Sequence, residues 1–183
     1  CSTADDFWEI LQTLPPILPS KGEHFWGVQD LNGDCGSSAF EWIEFPNTDI
    51  SLYQGVRCSF DLQVVGYDSG DDILYEPWFD DIAQDKVKVV DGNSNFSTQG
   101  WIRVSIEIPN NVSRFKLRIH IKQNGSDQAG IDNVSLRGIP VAPCSELIIS
   151  EYIEGGSSTE HRNNYIEIFN PSGNEIPLAD YNL

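Results

Sequence analysis

Between Phe115 and Lys122 apolar and polar residues alternate without a break: Phe115-Lys116-Leu117-Arg118-Ile119-His120-Ile121-Lys122. A period of two sends one set of side chains to a core and the other to water, which predicts a strand of an antiparallel β-sheet. The turn-forming run Gln123-Asn124-Gly125-Ser126-Asp127 follows, and then a second strand from Ala129 to Gly138. Asp132 opens that strand among Ile131, Val134 and Leu136, where an uncompensated charge is costly, so it needs a partner from elsewhere.

Further strands are predicted over Phe25–Val28, Phe40–Phe45, Ser59–Val65, Lys86–Val90 and Trp101–Ile108. The prolines of Leu14-Pro15-Pro16-Ile17-Leu18-Pro19 make residues 1–20 an irregular entry segment. Residues 66–84 read as a long acidic connection. Short strands, turn signals and hardly any helix predict an all-β sandwich. At Pro140-Val141-Ala142-Pro143-Cys144 the composition breaks, which divides the chain into a module of residues 1–139, a linker of 140–146 and a second region of 147–183. In that region Leu147–Ile153 and Tyr165–Phe169 are strands, too few to bury a core by themselves.

A net charge of −17 argues against a broad nucleic-acid surface and fits a solvated extracellular protein, or one whose acidic loops hold hard cations. No apolar run has the length of a membrane span. A chain that opens on Cys1 and contains no Met reads as a processed or excised piece. The cysteines Cys1, Cys35, Cys58 and Cys144 form no C-x-x-C pair, so zinc is not expected. Cys35–Cys58 and Cys1–Cys144 are the favoured disulfides; buried free thiols, or a lipidated Cys1, are the alternatives.

The candidate chemistry is that of binding. Asp30-Leu31-Asn32-Gly33-Asp34 offers the side-chain oxygens of Asp30, Asn32 and Asp34 around a glycine bend, a plausible part of a calcium loop without EF-hand spacing. His24, His120 and His161 have no nucleophile or acid at a catalytic spacing, and His120 is expected to point outward. With Val87, Val89, Ile102, Val104, Ile106, Leu117, Ile119 and Ile121 inward, the outward set contains Lys86, Lys88, Arg103, Lys116, Arg118 and Lys122, and Trp101 shares its parity. That concentration of cations is either ordinary solvated surface guarding sheet edges or a docking face for an acidic partner or anionic glycan. Trp26 and Trp42 are expected in the core, and Trp78, in the acidic connection, exposed.

Two resemblances follow from these residues. Asp5-Asp6-Phe7-Trp8, Gln29-Asp30-Leu31-Asn32-Gly33-Asp34 and Gly130-Ile131-Asp132-Asn133-Val134 make residues 1–138 resemble the jelly-roll modules of the MAM and carbohydrate-binding kind. That resemblance implies a jelly-roll β-sandwich and a structural cation shared by Asp30 and Asp132. Ile149-Ser150-Glu151, Tyr165–Pro171 and Leu178-Ala179-Asp180-Tyr181-Asn182-Leu183 make residues 147–183 similar to the start of a lamin-tail domain, which implies a partial immunoglobulin-like sandwich. Together they imply a non-catalytic, calcium-stabilised binding or adhesion module of a larger secreted or cell-surface protein. Its ligand would be a glycan or protein met at Trp78, Trp101, Arg103, Lys116 and Arg118. The rival expectations are the accessory region of a secreted hydrolase such as a nuclease, and a structural spacer in a surface fibre.

Overall fold

The computed structural model describes residues 7–31, 40–92, 96–141, 148–153 and 165–170. It divides into two compact units, Cys1–Ile139 and Pro140–Leu183. Every regular element among the described residues is a β-strand. The first unit is a two-sheet sandwich. Its first sheet contains β1 (Phe7–Leu11), β2 (Phe25–Gln29), β5 (Tyr53–Val65), β9 (Ile102–Glu107) and β11 (Gln128–Pro140), in the order β1-β2-β11-β5-β9. The second sheet is built on β10 (Arg114–Lys122). β3 (Glu41–Glu44) and β4 (Thr48–Asp49) flank it on one side and β6 (Asp72–Phe79) on the other; β7 (Ile82–Ala83) and β8 (Val87–Asp91) pair with β6.

The alternation of β10 is realised as its pattern requires. Phe115, Leu117, Ile119 and Ile121 are buried between the sheets, where they meet Cys58, Phe60, Leu62 and Val64 of β5 and Val28 and Ile131 of the first sheet. Phe60 packs edge-on against Tyr75 of β6, joining the two layers at the centre. At roughly 25 cal/mol per Å² of apolar surface removed from water, this shared core is what holds the sheets face to face.

Three expectations are corrected. The acidic connection contains β6, a long strand beside β10. Its outward positions Asp72, Leu74, Glu76 and Trp78 mix acids with apolar residues, and Pro77 has no amide to give, so the stretch hides its strand character. The entry segment begins with β1, paired antiparallel to β2 from Phe7↔Gln29 to Leu11↔Phe25. Cys58 keeps a free thiol buried in the core, so it is not bridged to Cys35; burial raises its pKa to about 11. Cys1, Cys35 and Cys144 lie outside the described residues.

In the second unit β12 (Ile148–Ile153) and β13 (Tyr165–Phe169) form an antiparallel pair with a shift in register between Ile149 and Glu151. His161 lies outside the described residues.

Candidate functional site

Part of the outer face of the first sheet, around Phe25 and Trp101, is covered by the chain's own entry segment. Leu14 and Ile17, linked by two backbone hydrogen bonds, bury themselves with Phe25 against Phe7, Leu11, Val65 and Trp101. Gly130 lets this layer approach, because a Cβ there would lie 2.8 Å from Trp101 and 3.0 Å from Ile17. Trp101 stacks edge-on with Phe25 and donates Nε1–H to the Leu18 carbonyl at 2.9 Å. Below it Asp61, 5% exposed, accepts Nε (2.8 Å) and Nη2 (3.0 Å) of Arg103, together with Ser20 Oγ (2.6 Å) and Asn133 Nδ2 (2.9 Å). The Arg103 hydrogen bonds lead in lowering its pKa to about 2, against the opposing effect of burial. Of the residues expected as ligand-binding, Trp101 is therefore occupied in holding the entry segment, and Arg103 is paired with Asp61 of β5.

The outer face of the second sheet is differently built. Antiparallel register sets Lys116 opposite Trp78, Arg118 between Glu76 and Glu44, and His120 between Leu74 and Trp42. Lys116 Nζ lies 3.9 Å and Arg118 Cζ 4.6 Å from the centroid of the Trp78 ring. Arg118 pairs closely with Glu44, which also holds Lys116 at 3.3 Å, and lies 3.9 Å from Glu76. Glu76 Oε2 accepts Trp78 Nε1–H at 3.2 Å and lies 3.1 Å from His120 Nε2. At the edge Lys88 pairs with Asp72 at 2.8 Å.

His120 projects to this face as the alternation requires, yet it is only 5% exposed, because the rings of Phe40 and Trp42 stand beside it at 6.5 Å. Burial is the leading cause of its lowered pKa, opposed by the Glu76 hydrogen bond. Glu76 is lowered as well: burial would raise its pKa, but the hydrogen bonds of Trp78 and His120 and nearby positive charge outweigh it. An ionised Glu76 accepts, so His120 carries its proton on Nε2.

The two tryptophans exchange roles relative to expectation. Trp78 is half-buried under two cations, whereas Trp42 on edge strand β3 is 54% exposed. The expected single basic face also divides. Arg103 belongs to the first sheet, and Lys116, Arg118 and Lys88 to the second, each with a carboxylate partner. Of the residues expected inward, Val87 and Ile102 remain 42% and 39% exposed, since β8 and β9 are edge strands.

Asp30 and Asp132 do not share a cation. Pairing of β2 with β11 runs from Gln29↔Gln128 to Trp26↔Ile131, so the two aspartates flank opposite ends of that ladder. At about 3.3 Å per residue, that separates them by more than 10 Å. Asp132 is satisfied otherwise: Oδ2 accepts the amides of Ser20 (2.8 Å) and Lys21 (2.9 Å), and Oδ1 that of Asn133 (2.6 Å). Asn32 and Asp34 lie outside the described residues.

A different acidic cluster stands at the Asp30 end. Carboxylate oxygens of Asp68, Asp71 and Asp127 lie within 4.8 Å of one another. Asp71 is fully buried and accepts Asp68 N (2.8 Å), Asn124 N (3.0 Å) and Asn124 Nδ2 (2.8 Å). Tyr67 donates to Gln123 Oε1 at 2.6 Å, and Gln123 Nε2 to the Asp127 carbonyl at 2.6 Å, which ties both loops together. Burial, a hydrogen bond with Asp71 and the charges of Asp71, Asp68 and Asp30 push Asp127 up to about 7. In the sequence Asp127 reads as a turn residue; its place one residue beyond the Gln128↔Gln29 pair, level with Asp30, is set by strand register, which no sequence pattern displays.

No family model matches the chain, and no curated protein matches it. Among solved structures, TmCBM61 in complex with beta-1,4-galactotriose is similar at 14% identity and a TM-score of 0.43, over 71% of this chain and 81% of that one. The K1 cleaved adhesin domain of Lys-gingipain from Porphyromonas gingivalis W83 is similar at 12% identity and a TM-score of 0.44, over 75% and 92% of the two chains. A family 16 carbohydrate binding module is similar at 11% identity and a TM-score of 0.36, over 64% and 79%. The sandwich assignment rests on the strand pairing and shared core of this chain. Among the described residues no helix is long and apolar enough to cross a membrane.

Proposed function

We propose that the first unit is a non-catalytic binding module of an extracellular protein that takes a glycan on the outer face of its second sheet. The observation that carries this reading is Trp42: an exposed indole beside a paired polar network of Glu44, Arg118, Glu76 and His120. An indole face suits the C–H face of a sugar ring. Charged groups already held by one another offer oriented donors and acceptors to hydroxyls, with little side-chain entropy left to lose. On the first sheet the entry segment packs over the outward tryptophan, Trp101. The test is calorimetric titration with neutral and uronate oligosaccharides. Binding that Trp42→Ala abolishes without moving the melting temperature supports the reading. Absence of glycan binding, or binding indifferent to Trp42, overturns it.

The same reading assigns calcium to the cluster of Asp68, Asp71 and Asp127, in place of the pair Asp30 and Asp132. Clustered carboxylates in looped backbone are the donor set a hard cation takes, and Asp71 is fixed in advance by its three hydrogen bonds. Bound calcium would neutralise the mutual repulsion of these acids and lock the Tyr67–Asp71 and Gln123–Asp127 loops. A melting temperature that rises with calcium, and fails to rise in Asp127→Asn, is the expected result; no response to calcium or chelator overturns it.

A further inference from the structure

β11 is a 13-residue strand that β2 accompanies only along its first four residues. Toward β2 it is paired from Gln128 to Ile131, and the ladder stops there because the Ser20 and Lys21 amides turn in to the Asp132 carboxylate. Among the described residues no strand pairs with that edge from Asn133 to Ile139. Asn133 takes a left-handed φ of 49° and sends its side chain to Asp61 on the outer face, after which Leu136 packs against the main core. Val134 shares a cavity wall with Cys58, Phe115 and Leu117, so it faces the interior, yet it is 37% exposed. The seam between the sheets is thus open beside this edge. Two adjoining cavities of about 570 and 180 Å³ lie against this half of β11, with Thr48 and Leu136 in both walls, and the larger also reaches Tyr53 and Val56 of β5.

We propose that this edge is a strand-addition site for an extended peptide, apolar at alternate positions and carrying a carboxylate opposite Arg137. The backbone groups of Asn133–Ile139 that point to the β2 side, where no strand among the described residues pairs with them, would give the peptide its ladder, and the seam beside Val134 and Leu136 would take every second side chain. Charge decides the remaining preference. Arg137 lines the larger cavity, is exposed, and forms no ion pair among the described residues. Asp49 in the same wall already accepts the Ser51 amide at 2.9 Å and lies in the field of Arg114.

The test uses a labelled, end-blocked peptide of about seven residues, an ordinary strand length, alternating valine with threonine around a central glutamate. Fluorescence polarisation gives the affinity and hydrogen exchange the position. N-methylation of alternate peptide amides, or lysine in place of the glutamate, should each weaken binding about tenfold or more. Arg137→Glu, at an exposed position that leaves the fold intact, should reverse the glutamate–lysine preference. Amides from Val134 to Gly138 should gain protection. Equal binding of the N-methylated peptide, protection elsewhere, or no binding overturns the proposal. So does self-association of the protein through this edge that the peptide fails to displace.

Discussion

His120 Nε2 lies 3.1 Å from Glu76 Oε2, with both residues less than a tenth exposed on a face that otherwise meets solvent. The pair is flanked on this face by the rings of Phe40 and Trp42, and Arg118, 3.9 Å from Glu76, adds a positive charge beside it. Such an arrangement links the stability of the face to pH.

The sign follows from the two shifts. His120 is lowered from 6.5 in the folded protein, mainly by burial, so the unfolded chain takes up that proton first and stability falls as pH drops below about 6.5. Glu76 is also lowered, from 4.5, so its contribution is present above that value and is lost as pH falls through the folded pKa. Both act in one direction, and acid destabilises. The stability of the native chain relative to His120→Gln, from denaturant unfolding at matched pH between about 8 and 5, should fall as pH falls, because the opposite effect of Asp127 is common to both proteins. An unchanged slope in the variant would separate His120 from the effect.

How far this face was legible in the sequence depends on what parity can and cannot carry. The alternation of β10 names both its buried and its outward residues, and the structure keeps each on its side. Parity does not say which sheet a strand joins, so Arg103 and Lys116 looked like one surface although their strands lie in different layers. Nor does it weigh neighbours: Trp78 looked exposed until Lys116 and Arg118 covered it, and Trp42 looked buried although edge strand β3 leaves it in solvent. β6 was missed because the acids of its outer face are answered by β10 and β8, partners distant in sequence. Asp132 was correctly read as needing compensation, but that comes from backbone amides, which no sequence pattern displays.

The two tryptophans should separate binding from folding. Trp42→Ala removes a largely exposed ring, so its effect on stability should stay within about 0.5 kcal/mol, as for an ordinary surface substitution. Trp78→Ala removes the ring under Lys116 and Arg118 and a donor to Glu76, and should cost about 1 kcal/mol or more. Paired urea titrations of the two variants give the comparison. Equal losses would contradict the assigned roles.

Asp61 holds the entry segment to the first sheet through Arg103, Ser20 and Asn133. Asp61→Ala leaves those three donors without their acceptor and should destabilise the first unit by about 2 kcal/mol. Its pKa of about 2 means the contribution is complete above 3.8 and is lost only as pH falls toward 2. Limited proteolysis offers a local readout: cleavage after Lys21 should accelerate in the variant, with little change in the region of β10.

At the acidic cluster the pH dependence has the opposite sign from that of His120. Asp127 is raised from 3.8 to about 7, so in metal-free protein the folded state holds a proton that the unfolded chain has already released. That contribution is complete below 3.8 and disappears as pH rises through about 7, where the charges of Asp71, Asp68 and Asp30 stand against a newly ionised neighbour. A bound cation would reverse the balance, because it competes with the proton for the same carboxylates. Calcium should therefore raise the melting temperature more at about pH 8 than at about pH 5, and the difference should vanish in Asp127→Asn. His120→Gln should leave this calcium response intact, since His120 is not among the groups that shift Asp127. Thermal melts of the three proteins with calcium and with chelator supply the measurement. A calcium shift of equal size at both pH values would remove Asp127 from the site.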